Sequence, residues 1–293
     1  MSRMSRIILG LLLAASIMGC NKGGGNTPAG VVKDFLSAKF SDPSNIDKVM
    51  TFFSEESLVF AEKNNGATRE QIKEALKKQM ESNKFNGMSY IDMREVSSKD
   101  YDDKIKILTA EIKVKPSKEK EATTAQSDYV LVKENGKYKL SFNDYIKSIP
   151  LNNSCGSTKD IQICLDKAVV MGSGVVISGK LTNNSKTTYS YGFAQPTVAT
   201  LKTDKGETFS SSHPNFELLA AASNQANFLQ NSQEMKAIKT GTRDEVFIFG
   251  SGTEKVLMTG KPIELTADKI MKTGWGGMPE IGDAGISISV KIK

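Results

Sequence analysis

The spacing of the apolar residues changes near residue 88 of this chain. Before that point they recur every three or four positions, which is the period of a helix face. The clearest stripes are Val31, Val32, Phe35, Leu36 and Ala38, and then Ile72, Ala75, Leu76 and Met80. After that point they alternate with polar residues, and Asn135-Gly136 indicates a tight hairpin. Helices followed by strands predict the α+β class, with helices on the concave face of one curved antiparallel sheet.

This α+β domain is predicted to cover residues 29–149. Thr27-Pro28 is typical of a helix start, and Asp42-Pro43 ends the first helix. Further helices are predicted over residues 46–53, from residue 54 to 60 and after residue 68. Strands are predicted over residues 88–96, 105–114, 129–133 and 138–145.

An all-β domain is predicted over residues 150–293, after a polar, turn-rich joint at residues 149–154. Short strands are predicted over residues 161–170, 174–183, 198–203, 243–250, 262–266 and 285–293. Many short strands at this spacing favour a β-sandwich. Residues 216–229 interrupt the pattern with helical spacing. They are interpreted as a helix over the sandwich edge, with a partner-binding flap as the alternative.

Two stretches resemble known families. Residues 27–36, with Asp42 and the later hairpins, are similar to small lipoprotein domains of the nuclear-transport-factor-two-like superfamily, over about residues 27–149. That resemblance implies a cone-shaped α+β fold whose site lies inside the cone. Residues 175–185, 204–206, 239–241 and 246–249 resemble immunoglobulin-like domains of bacterial surface lipoproteins, over about residues 160–293. Such domains bind partners or act as spacers.

Residues 1–19 have the features of an export signal. Arg3 and Arg6 precede an apolar core at residues 7–15, and Gly19 stands before Cys20. A cysteine directly after the cut resembles the lipobox of bacterial lipoproteins, in which the thiol takes a diacylglyceryl group and the new N-terminus is acylated. An ordinary secreted protein with a chance cysteine is the alternative. The apolar run is shorter than the roughly 20 residues that a permanent membrane helix needs.

The predicted anchor also defines a tether and a location. Residues 20–28 contain three consecutive glycines and are expected to be a flexible tether. The residue after Cys20 is Asn21, and the absence of Asp there favours, by resemblance, an outer-membrane lipoprotein facing the periplasm or the cell surface.

The other two cysteines, Cys155 and Cys164, are predicted to form a disulfide because an even pair in an oxidising compartment pairs readily. Two free buried thiols or a redox site are the alternatives. Removing 19 of the 293 residues leaves 37 Lys and Arg against 33 Asp and Glu, a net charge of +4. The basic residues are dispersed among acidic ones, so a nucleic-acid partner is not expected.

Catalytic and metal-binding motifs are not recognised in the sequence. The single histidine, His213, stands in a serine-rich turn, and the Asp100, Asp102, Asp103 tip lacks the spaced ligands of a calcium loop. No cofactor or metal is therefore expected. Trp275 lies between glycines. It is interpreted as a plug at the end of the sandwich, with a partner contact as the alternative.

These observations favour a lipid-anchored, non-enzymatic binding or scaffold protein of the cell envelope. Its expected partners are the membrane, through lipid on Cys20, and an envelope protein or a small apolar ligand. The alternative is an enzyme or small-ligand carrier that uses the cavity of the N-terminal cone. A third interpretation makes both domains spacers in an envelope complex.

Overall fold

The computed structural model divides the chain into two compact units, Met1–Ile146 and Lys147–Lys293. The residues that the structure describes are 26–65, 67–101, 103–117, 120–191, 199–211, 237–250, 252–273, 280 and 283–293. The predicted helix-then-sheet layout is confirmed.

From residue 26 onward, the described part of the first unit starts with four helices, and two of them have side-chain caps. The helices are α1 Pro28–Lys39, α2 Ile46–Met50, α3 Glu55–Asn65 and α4 Arg69–Phe85. At the start of α1, the Thr27 hydroxyl accepts a hydrogen bond from the Gly30 N–H. At the start of α4, Thr68 and Gln71 form a reciprocal capping box. Such caps satisfy N–H groups that lack a partner inside the helix.

One antiparallel sheet follows, with its strands in chain order. The strands are β1 Ser89–Asp100, β2 Ile105–Lys115, β3 Thr123–Glu134 and β4 Lys137–Leu140. Asn135 and Gly136 join β3 to β4 with φ angles of 50° and 78°. Two consecutive positive φ values are required by the type I′ turn, which matches the twist of the two strands.

A single apolar core joins these helices to one side of the sheet. Val32 and Leu36 of α1 are 0% and 4% exposed, and Leu76 and Met80 of α4 are also buried. The sheet contributes Met93, Leu108, Ala110, Ile112, Val114, Tyr129, Leu131 and Leu140. We call this side of the sheet its helix-facing side.

The free edge of this sheet is the strand β1, which contains two bulges. The register with β2 skips Ile91 and Val96, so neither residue is paired. These two side chains are 48% and 45% exposed. A bulge bends an edge strand and disrupts the regular row of groups that another strand would need for pairing.

The predicted strand over residues 138–145 is wrong beyond Leu140. There the chain leaves the sheet and makes a 3₁₀ turn, Phe142–Asp144. The Phe142 N–H donates to the Ser57 hydroxyl at 2.8 Å, and Asn143 and Asp144 both have φ of 55°. Left-handed backbone is accessible to Asn and Asp, so the turn forms without glycine.

The second unit contains two antiparallel sheets. The first has the strand order β11-β7-β6-β5, and the second has the order β10-β9-β12-β13 with β8 also paired to β12. The elements are β5 Tyr145–Ser157, β6 Ile161–Met171, β7 Gly174–Asn183, β8 Tyr189–Tyr191, β9 Ala199–Thr203, β10 Thr208–Ser210, β11 Gly241–Phe249, α5 Thr253–Leu257, β12 Pro262–Lys272 and β13 Ile286–Lys291.

The predicted joint at residues 149–154 lies inside β5 and is therefore not a separate turn. Asn152 and Asn153 have φ of 53° and 54°, the left-handed conformation that asparagine also adopts in turns, and this preference made the residue types of the stretch resemble a turn. Leu151 and Ser154, on either side of the two asparagines, are buried. The two asparagines thus bend the strand without ending it.

The predicted disulfide between Cys155 and Cys164 is confirmed. It joins the neighbouring strands β5 and β6, with the two Cα atoms 4.1 Å apart. On the other side of β6, Gly179 of β7 lies directly beside the same cysteine. A methyl group on Gly179 would overlap the carbonyl oxygen of Cys164 and would lie 3.0 Å from the Leu165 Cα.

We therefore expect Gly179→Ala to destabilise the second unit. The added carbon has to displace backbone atoms of β6, and such overpacking costs about 1–3 kcal/mol. Urea unfolding measured by circular dichroism would test this, with Ser178→Ala on the same strand as the control. Equal unfolding free energies for the two variants would show that β6 moves aside without cost.

Candidate functional site

Three residues singled out from the sequence lie outside the described residues. They are the predicted lipidation site Cys20, the possible contact Trp275 and the single histidine His213. The helix-like stretch at residues 216–229 also lies outside them. The candidate site below is therefore built from the core of the first unit.

The part of the chain that the structure describes holds no group of three or more His, Cys, Asp or Glu side chains placed to bind a metal ion. At the acidic hairpin tip, Asp100 forms an ion pair with Lys106 at 3.0 Å, and Asp102 is not described. Among the described helices, none combines the length and apolarity needed to span a membrane.

Two tyrosines mark the ends of a row of small residues on the helix-facing side of the first sheet. Tyr90 is paired with Val114, and Tyr129 is paired with Leu108. Between these pairs, Ala110 is paired with Ser127, and Ile112 is paired with Ala125. Paired residues point to the same side of a sheet. We call Tyr90, Ala110, Ala125, Ser127 and Tyr129 the tyrosine face.

Alanine and serine supply short side chains between the two tyrosines. Ser127 and Ala125 are partly exposed, whereas Ala110 is fully buried. Solvent therefore reaches part of the tyrosine face from the β3 side. A face with large rings at its ends and small residues between them is a shape that accommodates a small molecule.

Tyr90 has a buried hydroxyl group that lacks a hydrogen-bond partner among the described residues. Its ring stacks on Phe40, just after α1, with a centroid distance of 6.4 Å and an interplanar angle of 27°. Burial, and secondarily the carboxylates Asp92 and Asp34, raise the pKa of Tyr90. A buried hydroxyl without a partner is costly, so this atom is a candidate ligand contact.

Tyr129 and Asp144 form the other end of the candidate site. Burial raises the pKa of Tyr129, and the charges of Asp144 and Tyr90 add to the effect. Asp144 belongs to the 3₁₀ turn after β4. Burial, and secondarily the charge of Asp128, raise its pKa to about 6.

Asp144 is nevertheless an exposed residue. Solvent reaches Asp144 and screens its charge, which limits the energy of its interactions with other charges. A carboxyl group crowded by protein atoms and still reached by solvent is typical of a recessed surface. Its backbone has φ of 55°, a conformation that functional sites use more often than other surfaces.

Lys39 adds an amine to the same core. It lies seven positions after Val32 and so continues the buried stripe of α1. Burial lowers the pKa of Lys39 to about 8. Its ammonium nitrogen lies 5.7 Å from the centre of the Phe35 ring, and its place in the last turn suits the negative end of the helix dipole.

A row of aromatic rings connects Lys39 to the turn that carries Asp144. The Phe35 and Phe53 ring centres are 5.4 Å apart, and those of Phe53 and Phe142 are 5.3 Å apart. Both pairs meet edge to face. Phe142 is two residues before Asp144, so the apolar row ends beside the acidic group.

The arrangement can hold a molecule that is largely apolar and carries a polar group. The rings offer an apolar wall, the two phenols donate or accept hydrogen bonds, and Asp144 and Lys39 change charge close to neutral pH. Sequence patterns did not reveal these four residues. The available signals were a lysine in an apolar stripe and Asn143-Asp144 interrupting an alternating strand.

No protein-family model matches the chain, and a search of curated proteins finds no significant match.

We expect Asp144→Asn to remove a pH dependence of stability. Because the pKa of Asp144 is raised in the folded state, the folded chain loses stability as pH rises from 3.8 to about 6, and the loss is complete above that range. Asparagine keeps the left-handed backbone without the charge. The variant should therefore be the more stable protein at neutral pH, by no more than about 1 kcal/mol after solvent screening.

Urea titrations of both proteins between about pH 4 and pH 8 measure this difference. The difference should shrink towards zero at the acidic end. Asp103→Asn, on the exposed β1–β2 hairpin, is the matched control. Parallel profiles for the two variants would contradict the assignment of Asp144 to a recessed position.

Proposed function

We propose that this chain is a lipid-anchored, non-enzymatic binding or scaffold protein of the cell envelope. The observation that carries the proposal is the disulfide between Cys155 and Cys164. Disulfides persist in oxidising compartments and are rare in the cytosol, so it supports the export signal inferred at residues 1–19. Cys20 is the proposed lipid attachment site, and the outer membrane is the proposed location.

We also propose family-level folds for the two units. Four helices followed by an antiparallel sheet support the nuclear-transport-factor-two-like cone for the first unit. Two antiparallel sheets support an immunoglobulin-like sandwich for the second. A fold does not define an activity. The non-enzymatic proposal rests on composition, since the one histidine, His213, lies outside the first unit.

We expect Cys20→Ser to move the protein from the membrane fraction to the soluble fraction. The substitution removes the thiol that would carry the diacylglyceryl group, and one or two acyl chains supply most of the binding to a bilayer. Fractionation and the intact mass of the purified protein measure the two effects. The double variant C155S/C164S keeps Cys20 and should stay acylated. A wild-type protein of unacylated mass would contradict the proposal.

A second candidate function is a small-ligand carrier, and the hydroxyl of Tyr90 specifically favours it. This buried atom lacks a partner among the described residues and lies at one end of the tyrosine face. The ligand that suits the site is small and mainly apolar, with one group that hydrogen-bonds to a phenol. Ser127 and Ala125 are partly exposed, so solvent reaches this face between the tyrosines.

Tyr90→Phe separates this function from a purely structural role. Without ligand, removal of an unpaired buried hydroxyl should raise the free energy of unfolding by about 1 kcal/mol. The variant no longer buries a polar group that lacks a hydrogen-bond partner. With ligand, the same change should weaken binding. Native mass spectrometry of protein purified from its own membranes would show the loss of a bound small molecule. Tyr138→Phe is the control, and retention of the ligand by Y90F would exclude the Tyr90 contact.

A further inference from the structure

The end of the tether is fixed to one particular hairpin of the first unit. The Asn26 side-chain amide donates to the Gly136 carbonyl at 3.0 Å, and its oxygen accepts from the Tyr138 N–H at 3.3 Å. Asn26 therefore attaches the start of the folded chain to the β3–β4 turn. The proposed lipid site, Cys20, is six residues earlier. Six residues span at most about 20 Å when fully extended.

The antiparallel order of the strands places a second hairpin at the same end of the sheet. β1 ends and β2 begins where β3 ends and β4 begins. The β1–β2 and β3–β4 hairpins thus lie together, on the side to which the tether is attached. We call this end of the first unit the anchor end. The β2–β3 connection, which contains Lys120, lies at the opposite end.

The anchor end is rich in lysine. Its lysines are Lys99, Lys104, Lys106, Lys133, Lys137 and Lys139. Its acidic residues are Asp100, Asp103 and Glu134, with Asp102 as a fourth in the sequence. Asp100 is paired with Lys106, and the Glu134 carboxylate accepts the N–H groups of Glu55 and Glu56. Hydrogen bonds from backbone N–H groups leave the Glu134 carboxylate charged, so six lysines against four acidic residues give this end a net charge of +2.

Two tyrosines accompany these lysines. The Lys99 ammonium lies 4.7 Å from the centre of the Tyr101 ring, and the Lys133 ammonium lies 5.8 Å from that of Tyr138. Lysine and tyrosine each combine an apolar body with a polar tip, and both suit the boundary between water and lipid.

We propose that the anchor end is a membrane-contact surface that binds anionic phospholipid headgroups. The inference rests on the proposed lipid anchor, because the anchor holds this end within about 20 Å of the bilayer. Each lysine at an anionic surface contributes roughly a fivefold gain in partitioning. A lipid chain combined with a basic patch gives firmer and more oriented attachment than a chain alone.

Lysine footprinting on vesicles tests the surface without relying on acylation of Cys20. The mature chain, with a polyhistidine tag in place of Cys20, is attached to vesicles that contain a nickel-chelating lipid and phosphatidylglycerol. A membrane-impermeant acylating reagent then modifies exposed amines, and peptide mass spectrometry gives the rate for each lysine. Lys133 and Lys137 should react severalfold more slowly on vesicles than in solution, and Lys120 should not change.

Two comparisons complete the test. Vesicles with phosphatidylcholine as the only other lipid should protect Lys133 and Lys137 less, because they lack the anionic headgroup. The variant K133E/K137E should lose the protection of Lys99, whereas K77E/K78E, the same charge change on α4, should keep it. Equal vesicle-to-solution rate ratios for Lys137 and Lys120 on anionic vesicles would overturn the proposal. Because the tag replaces the lipid, that result is independent of whether Cys20 is acylated.

Discussion

The packing of α1 on the first sheet positions every surface to which we assign a role. Val32 and Leu36 are buried against β2 and its neighbours, and a 12-residue helix is about 18 Å long. One end of α1 begins just after Asn26, which is attached to the β3–β4 hairpin. The other end presents Lys39 to the aromatic row. The buried stripe of α1 therefore fixes the position of the anchor end relative to the tyrosine face within the first unit. A shift of the helix would disturb both surfaces.

Much of the fold could be predicted because the apolar spacing is regular. Residues 174–183 agree with β7 at both ends, and the Asn135-Gly136 turn joins two strands as expected. The strand predicted at residues 129–133 was too short, since β3 begins at Thr123 with exposed and polar residues. Two short strands, β8 and β10, and the helix α5 were missed. Elements of three to five residues carry too few positions for a period to be recognised.

The candidate site was less predictable than the fold, for a physical reason. Tyr90, Tyr129 and Asp144 are far apart in the sequence, and each looks ordinary in its local pattern. Their relation depends on strand register and on the turn after β4, where the Ser57 hydroxyl accepts a backbone N–H from another element. The disulfide was easier to predict because only two cysteines remained to pair. The lipid site at Cys20 stays a prediction, and it rests on the local pattern of residues 1–20.

If the chain is held at a membrane, the bulges at Ile91 and Val96 also affect how neighbouring copies interact. Anchoring confines neighbouring copies to two dimensions and so raises the frequency of their collisions. A regular free edge would then favour sheet-to-sheet polymerisation across the bilayer surface. The irregular β1 edge, with Arg94, Glu95 and Lys99 exposed along it, opposes such growth. On an anchored chain, the same strand would keep neighbouring copies from joining edge to edge.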